Sequence, residues 1–295
     1  MQDKEIMFFD AVDSKTKTLW ATSYPDGMPC IVSHVEHHRA ASRVERVLLR
    51  PTSLDTFTTC MFWIDALVAR GNDVPELILP FFPGARQDRL NSKGDVLFTA
   101  KSVAKMINDR HFPRVIVLDP HSDVVPALLD RCSVVTAADI MGYSRPVMQA
   151  AVKYTKSYDA VVSPDAGAEK RASAIATNLG IPHLHAWKTR NVMDGSISGF
   201  GCEPIPRSVN HILVVDDICD GGGTFEGLRE VLPWPLVNED ISVDLFVTHG
   251  IFSKGTRHLA SKFNNIFCTD SIVGRERNEI IEVSVCMDLL RKGYC

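Results

Sequence analysis

The sequence predicts a parallel α/β fold, because short runs rich in β-branched residues alternate with amphipathic segments along the chain. The candidate strands are RVLLRP, ELILPFF, RVIVLDP, DAVVSPD, HILVVDD and DLFVTHG. Polar, charge-rich loops follow strands at five places: PFFPGARQDR, DPHSD, SPDAGAEKR, AWKTRN and DDICDGGGT. Ligands bind beyond the carboxyl ends of strands in open α/β sheets, so these loops form the candidate functional site.

The stretch SLDTFTTCMFWIDALVARG is the clearest helix between two candidate strands. Thr52 and Asp55 have the spacing of a capping box, and Gly71 marks the expected end of the helix. Its expected apolar face consists of Leu54, Phe57, Phe62 and Ile64. The segment TAKSVAKMINDR predicts a second amphipathic helix.

The length of 295 residues favours two domains of ordinary size. We place the boundary near MGYSRPVM, where glycine, serine and proline interrupt the pattern. This gives an N-terminal domain of residues 1–145 and a C-terminal domain of residues 146–295. The last segment, CMDLLRKGYC, is a candidate to return and pack on the first domain.

Composition excludes several classes of protein. Hydrophobic residues make up 45% of the chain and charged residues 23%, and no apolar run is long enough to span a membrane. The net charge of −4 argues against a nucleic-acid-binding protein. The N-terminus lacks the pattern of a secretory signal, and the eight cysteines form no CxxC pair. These features favour a cytoplasmic location.

The loop VVDDICDGGGT has the composition of a sugar-phosphate site. Three consecutive glycines allow the backbone N–H groups to face a phosphate, and Thr224 and the helix after it would add donors. The paired acids Asp216 and Asp217 suit the vicinal hydroxyls of ribose or a Mg²⁺ ion. A flexible glycine turn with surface acids is the alternative interpretation.

Seven motifs occur in the order and approximate spacing of one enzyme family. They are ARQDR (85–89), TAK (99–101), DPH (119–121), SPDAG (163–167), KTR (188–190), VVDDICD (214–220) and THG (248–250). With these motifs the chain resembles the ribose-phosphate pyrophosphokinases, the phosphoribosyl-diphosphate (PRPP) synthetases, over almost its full length, as a divergent member. The resemblance implies two tandem type I phosphoribosyltransferase-like domains with mainly parallel sheets, an active site between them, and a homo-oligomer.

The resemblance further implies an ATP-dependent reaction that needs Mg²⁺. The β,γ-diphosphate of ATP moves to the anomeric 1-hydroxyl of ribose 5-phosphate, which gives PRPP for nucleotide or NAD synthesis and releases AMP. Lys188 and Arg190 match the catalytic basic pair of the family, on a loop where alternate residues could face one side. His121 matches its metal-ligand histidine, and Asp165 the acid that completes the Mg²⁺ environment.

The substrate-binding residues are carried over from the same motifs. The residues that match the ATP-binding positions are Tyr24, Asp26, Arg86, Gln87 and Asp88. The residues that match the ribose-phosphate loop are Asp216, Asp217, Asp220, Gly221, Gly222, Gly223 and Thr224.

Two departures from the family pattern leave the nucleotide site and the acceptor open. Met28 stands where the family has a glutamate near the adenine base. Gly221 stands where the family usually has threonine or serine, so one hydroxyl donor to the phosphate is missing. A diester needs fewer donors and more space than a monoester, so ADP-ribose is an alternative acceptor. Its product would be ADP-ribose 1-diphosphate, in an NAD salvage route.

Two further alternatives belong to other classes. A catalytically silent homologue that regulates an active synthetase should have lost its catalytic side chains, whereas Lys188, Arg190 and His121 are present. A base-using phosphoribosyltransferase would have one domain and would give no role to ARQDR. We therefore prefer the reaction with ribose 5-phosphate.

Overall fold

The computed structural model describes residues 6–12, 14–32, 43–90, 97–143, 158–190, 197–232, 241–273 and 278–293. The chain divides into two compact units. Unit 1 comprises Met1–Val135, Ser271–Gly274 and Ser284–Cys295, and unit 2 comprises Thr136–Asp270 and Arg275–Val283. The predicted boundary between residues 145 and 146 lies outside the described residues.

The secondary structure of the described residues alternates between strands and helices. The strands are β1 (Ile6–Asp10), β2 (Lys15–Thr18), β3 (Trp20–Ser23), β4 (Pro29–Val32), β5 (Val44–Leu49), β6 (Glu76–Ile78), β7 (Val115–Leu118), β8 (Cys132–Val135), β9 (Ala160–Ser163), β10 (His183–Arg190), β11 (Ile197–Cys202), β12 (His211–Cys219), β13 (Ser242–Gly250), β14 (Ile266–Thr269) and β15 (Ile281–Val283). The helices are α1 (Leu54–Ala69), α2 (Thr99–Asn108), α3 (Val124–Leu128), α4 (Ala137–Tyr143), α5 (Glu169–Leu179), α6 (Gly223–Val231), α7 (Arg257–Ala260) and α8 (Cys286–Lys292). A 3₁₀ turn, Ala166–Ala168, precedes α5. None of the helices described is both long enough and apolar enough to cross a membrane.

Unit 1 is built on a six-stranded sheet with the strand order β2-β1-β5-β6-β7-β8. The pairs from β5 to β8 are parallel, and β1 is antiparallel to both of its neighbours. The four residues of β7 are all buried, as expected for a strand covered on both faces of a parallel sheet. The strands β3 and β4 form a separate antiparallel hairpin.

The helix α1, which follows β5, differs from the sequence prediction in its N-cap and in its buried face. Ser53, and not Thr52, caps the helix by accepting a hydrogen bond from the Thr56 N–H at 3.1 Å. Phe57 and Ile64 are buried, whereas Leu54 and Phe62 of the predicted apolar face are 65% and 50% exposed. A helix with apolar residues on several sides does not reveal from sequence alone which of them meets the sheet.

The C-terminal helix α8 packs against β1, β5 and β6 of unit 1. The Arg46 guanidinium donates to the carbonyl oxygens of Leu290 (2.9 Å) and Arg291 (3.3 Å), and it lies 4.6 Å from the centre of the Phe9 ring. These bonds satisfy carbonyl groups at the end of α8 that have no partner within the helix.

Unit 2 is built on a seven-stranded sheet with the order β11-β10-β9-β12-β13-β14-β15. Only the pair of β10 with β11 is antiparallel, and all the other described pairs are parallel. Two strands run further than their apolar runs predict. The strand β12 continues through Asp216 and Asp217 to Cys219, and β10 includes the whole KTR motif, which we had predicted as a loop.

A buried carboxylate joins the strands at the amino-terminal side of this sheet. Asp244 is fully buried and accepts hydrogen bonds from four donors. These donors are Tyr158 Oη at 3.0 Å, His211 Nε2 at 3.1 Å, Asn265 N at 3.0 Å and Asn265 Nδ2 at 2.9 Å. Tyr158 and His211 are buried, so these two donors are removed from water on folding.

We expect Asp244→Ala to lower the free energy of unfolding of unit 2 by about 3–5 kcal/mol, because several buried donors lose their acceptor. Urea denaturation followed by circular dichroism measures the change. The control is Asp109→Ala, which removes an exposed ion pair with Lys105 and should cost less than about 0.5 kcal/mol. A loss below about 1 kcal/mol for Asp244→Ala would contradict the proposed role.

Candidate active site

Two aspartates of β12 lie side by side at the carboxyl end of the unit 2 sheet. The Asp217 N–H donates to Asp216 Oδ1 at 2.8 Å. Arg171 on α5 places Nη1 3.4 Å from Asp216 Oδ1 and 3.4 Å from Asp217 Oδ1, and it donates to the Gly167 carbonyl at 3.2 Å. One guanidinium therefore holds both carboxylates.

Arg171 only partly balances the negative charge of Asp216 and Asp217. Burial raises the pKa of Asp216 well above its ordinary value, and the neighbouring carboxylate of Asp217 raises it further, whereas Arg171 lowers it. Asp165 adds a smaller repulsion. Such a group is stabilised by a cation or by hydroxyl donors, which is the chemistry of Mg²⁺ or of a sugar.

Lys188, the predicted catalytic residue, forms an ion pair with Asp165, the predicted metal ligand. Lys188 Nζ donates to Asp165 Oδ2, and Asp165 Oδ1 accepts from the Gly167 N–H at 2.9 Å. The second bond caps the 3₁₀ turn that follows β9. The side chains are 22% and 18% exposed, so the pair lies partly within unit 2. The structure thus joins these two residues directly.

The basic motif lies on a β-hairpin formed by β10 and β11. Lys188 is directly opposite Phe200, and the Arg190 backbone is opposite Ile197. The register shifts between Thr189 and Arg190, where β11 contributes one extra residue. That both basic residues face one side stays a prediction. The Arg190 side chain lies outside what the structure describes.

Gly227 on α6 allows this hairpin to lie against the helix. A Cβ atom at Gly227 would come within 2.0 Å of Phe200 Cε2, and Phe200 is the residue opposite Lys188. The absence of a side chain at Gly227 therefore allows the hairpin to pack closely on α6. This packing distance in turn determines the position of Lys188.

We expect Gly227→Ala to lower kcat by about tenfold to a hundredfold, because a displacement of about 1 Å at a catalytic group has effects of this size. Steady-state kinetics and a melting curve should be measured together. Gly142→Ala is the matched control, since Gly142 is also helical and its Cβ would meet no atom of the described residues within 4 Å. An unchanged kcat in Gly227→Ala would contradict the positioning role.

The glycine loop connects β12 to α6. Of its three glycines only Gly222 has a left-handed backbone, with φ +82°, and it is the N-cap of α6. Of these three positions, only Gly222 thus needs the conformational freedom of glycine. Gly223 and Thr224 begin the helix, where backbone N–H groups and the helix dipole favour an anion.

The loop is less open at Gly221 than the sequence implies. A Cβ atom at Gly221 would lie 3.4 Å from Lys254 Cε and 3.5 Å from Lys254 Cδ. The aliphatic part of this lysine covers the face of the loop where a threonine or serine side chain would stand. The extra room that we expected for a larger acceptor is thus reduced.

In unit 1 the ARQDR loop presents Arg86 and Gln87 on the surface. The Gln87 side-chain oxygen accepts from the Thr99 hydroxyl at the start of α2, and the Ala100 N–H donates to the Gln87 carbonyl at 3.3 Å. The loop and the TAK motif are therefore one connected structure.

Asp88 is buried and contacts other side chains of unit 1. It accepts from Arg89 Nε at 2.9 Å and from Ser122 Oγ at 2.6 Å. Burial alone would raise the pKa of Asp88, but the hydrogen bonds from Arg89 and Ser122 and the charge of Arg89 outweigh it and lower the pKa, with a smaller contribution from His121. Asp88 therefore connects ARQDR to the exposed His121 of the DPH motif.

The YPDGM motif forms the exposed turn between β3 and β4. The Met28 N–H donates to Asp26 Oδ1 at 3.0 Å, and the Tyr24 N–H donates to the Met28 carbonyl at 2.8 Å. Tyr24 and Met28 are 57% and 56% exposed. The turn is compact, and its two large side chains are available for contact.

The described residues include no cluster of three or more His, Cys, Asp or Glu side chains in metal-binding geometry. Mg²⁺ takes few protein ligands and keeps several waters, so single carboxylates beside a phosphate site suffice for it. The excess negative charge around Asp216 is an observation that fits a divalent cation.

Sequence reasoning missed Arg171, although it lies in the stretch SPDAGAEKR that we singled out. We interpreted this stretch as a loop, whereas its second half is the first turn of α5. The helix directs Arg171 back toward the acids of β12. Only the packing of α5 on the sheet could show this.

Comparison with known proteins identifies the family. No protein-family model matches the chain. A ribose-phosphate pyrophosphokinase of Mesorhizobium japonicum is 32% identical over 241 residues, which cover 76% of this chain and 71% of the relative. One of Rhizobium meliloti is 32% identical over 234 residues, with 75% and 69% covered. The chain belongs to the ribose-phosphate pyrophosphokinase family. It is thus a member of a family of diphosphotransferase enzymes.

A solved structure agrees on the fold. The crystal structure of phosphoribosylpyrophosphate synthetase from Mycobacterium smegmatis superposes with a TM-score of 0.72 at 23% identity and covers 92% of this chain and 88% of that one. The predicted fold is therefore confirmed: two tandem phosphoribosyltransferase-like units with mainly parallel sheets.

Proposed function

We propose that the chain transfers the β,γ-diphosphate of ATP to the 1-hydroxyl of ribose 5-phosphate, giving PRPP and AMP. The bond between the α- and β-phosphates of ATP breaks, and a bond forms between the sugar O1 and the β-phosphorus. The observation that carries the proposal is the placement of Asp216 and Asp217 at the end of β12, directly before the glycine loop. The two acids suit ribose hydroxyls, and the loop that follows suits the phosphate of the same sugar.

The acceptor is held at both ends in this proposal. Asp216 and Asp217 accept hydrogen bonds from the 2- and 3-hydroxyls, and the N–H groups around Gly223 and Thr224 bind the 5-phosphate. Arg171 keeps the two carboxylates at their spacing. The 1-hydroxyl is then fixed with respect to unit 2, which is the positioning on which such transfers depend.

Lys188 is the group proposed to stabilise the transferring diphosphate. In the structure its ammonium is held by Asp165, which keeps it ordered before substrates bind. Asp165 would also be a ligand for a cation, and Lys188 would then contact the phosphate oxygens in place of Asp165. Negative charge that develops on the diphosphate is thereby met by a group already in place.

ATP is assigned to the surface residues of unit 1. Arg86 offers a planar guanidinium for bidentate contact with phosphate, and Tyr24 offers an exposed ring for the base. Asp88 acts through Ser122 and Arg89 and is a positioning residue in this proposal. His121 in unit 1 and Asp165 in unit 2 are the residues that would each offer a ligand to Mg²⁺, which would neutralise phosphate charge.

The test is AMP release from ATP and Mg²⁺ by the purified protein, with ribose 5-phosphate or ADP-ribose as acceptor and product identification by mass. We expect ribose 5-phosphate to be preferred, because Lys254 covers the space beside Gly221. Preference for ADP-ribose would contradict that choice and support an NAD salvage route. Absence of turnover with both acceptors would support a silent regulatory homologue. The homo-oligomer implied by the resemblance stays a prediction, which light scattering tests.

A further inference from the structure

The loop that follows β13 lies against the glycine loop of unit 2. The Phe252 N–H donates to the Cys219 carbonyl at 3.0 Å, and the Ser253 N–H donates to the Asp220 carbonyl at 3.1 Å. The Phe252 side chain is buried, and its backbone has φ +48°, which is uncommon for a residue other than glycine. These contacts fix the backbone that carries Lys254.

The Lys254 side chain runs along Gly221. Its Cγ, Cδ and Cε atoms lie 3.8, 3.5 and 3.4 Å from the position of a Cβ atom at Gly221. The residue is exposed, and among the described residues its ammonium has no carboxylate partner. A flexible cation that stays unpaired beside an anion site is available for that anion.

A second side chain beside the same loop also lacks a partner. His258 Nε2 is buried, and within the described part of the chain it makes no hydrogen bond. A Cβ atom at Gly222 would lie 2.8 Å from it, so the imidazole faces the backbone of the loop. Buried nitrogen atoms without a partner are unfavourable, and a bound ligand or water would satisfy this one.

We propose that Lys254 binds the phosphate on C5 of the acceptor ribose and replaces the hydroxyl donor that is missing at Gly221. This inference rests on the proposed function, because it assigns a phosphate to the glycine loop. An ammonium forms charge-assisted hydrogen bonds with phosphate oxygens that are stronger than those of a hydroxyl. A glycine at position 221 is then compatible with tight binding of a monoester.

The test is isothermal titration calorimetry without ATP, with ribose 5-phosphate, ADP-ribose and ribose as separate ligands. We expect Lys254→Ala to raise the Kd for ribose 5-phosphate by about tenfold to a hundredfold, the loss that one charge-assisted bond gives. Binding of ribose should not change, because ribose has no phosphate. Lys105→Ala, which removes the same charge from unit 1, is the control and should match the wild type.

A second variant separates a phosphate contact from a structural effect. Gly221 does not have a left-handed φ, and a Cβ there meets Lys254 only at van der Waals distance, so a serine fits. Gly221→Ser combined with Lys254→Ala should recover part of the lost affinity for ribose 5-phosphate.

The outcomes distinguish the two proposals. A loss confined to ribose 5-phosphate assigns Lys254 to a monoester, and an equal loss with ADP-ribose assigns it to any phosphate on C5; both support the inference. Wild-type affinity for both phosphorylated ligands in Lys254→Ala overturns the inference and leaves the proposed function intact. A wild-type protein that binds neither ligand overturns the proposed function and the inference with it.

Discussion

Lys188→Ala is expected to lower kcat for AMP formation by about 10²–10³-fold while changing the KM for both substrates little. Lys188 is ordered by Asp165 before substrates bind, and its charge is needed most when the diphosphate is in transfer. Removal of such a group affects the transition state more than the ground state. Initial rates from an enzyme-coupled AMP assay give both constants.

Two comparisons make this result specific. Lys170→Ala removes an equal charge from the exposed surface of α5, close in sequence to Asp165, and should keep kcat within about twofold of the wild type. Lys188→Arg keeps the charge but changes the donor geometry and should recover only part of kcat. If Lys188→Ala turned over within about fivefold of the wild type, Lys188 would not be the catalytic cation.

Asp216→Asn is expected to raise stability and abolish most activity. Asparagine has the size of aspartate, and its oxygen can still accept from the Asp217 N–H. The change removes a buried charge that lies beside another carboxylate. We expect the melting temperature to rise by about 2–4 °C, as about 1 kcal/mol produces in a domain of this size. We expect kcat/KM to fall by about a hundredfold, because an amide is a weaker acceptor for ribose hydroxyls.

The stability gain has a definite pH dependence. The pKa of Asp216 is higher in the folded protein than in the unfolded chain, so protonation stabilises the fold. At low pH, below the unfolded value, the carboxyl is neutral in both states and the variant has little advantage. As the pH rises through the raised pKa, the wild type loses stability that Asp216→Asn keeps.

Melting curves at several pH values between about 3 and 8 measure this difference. Asp288→Asn is the control, because Asp288 is 57% exposed and pairs only with Lys292 on the same helix among the contacts described. A melting temperature that falls in Asp216→Asn at neutral pH would mean that the carboxylate is a net stabilising group, which contradicts its assigned environment.

Much of the fold follows from the sequence, because its strands are continuous apolar runs that only a buried parallel sheet accommodates. RVIVLDP and DAVVSPD become β7 and β9, each buried throughout, and the polar residues after them lie in the loops. The edge strand β2 of unit 1 escaped prediction because its sequence, KTKT, contains no apolar run.

The site was predictable in its residue types and less so in its geometry. The ends of β10 and β12 depend on pairing with neighbouring strands, as Lys188 does with Phe200 on β11. The contact of Arg171 with the β12 acids depends on how α5 packs, and the contact of Lys254 with Gly221 on how two loops meet. These are tertiary interactions between residues far apart in sequence, and a local pattern does not contain them.

The transfer of an intact diphosphate is the central claim, and the fate of the β-phosphate of ATP tests it most directly. The protein is incubated with ATP labelled with ³²P at the β-position, Mg²⁺ and ribose 5-phosphate, and the products are separated by ion-exchange chromatography. The account predicts that the label moves to phosphoribosyl diphosphate while unlabelled AMP forms in equal amount. Label recovered in ADP would contradict it, because the γ-phosphate alone would then have been transferred.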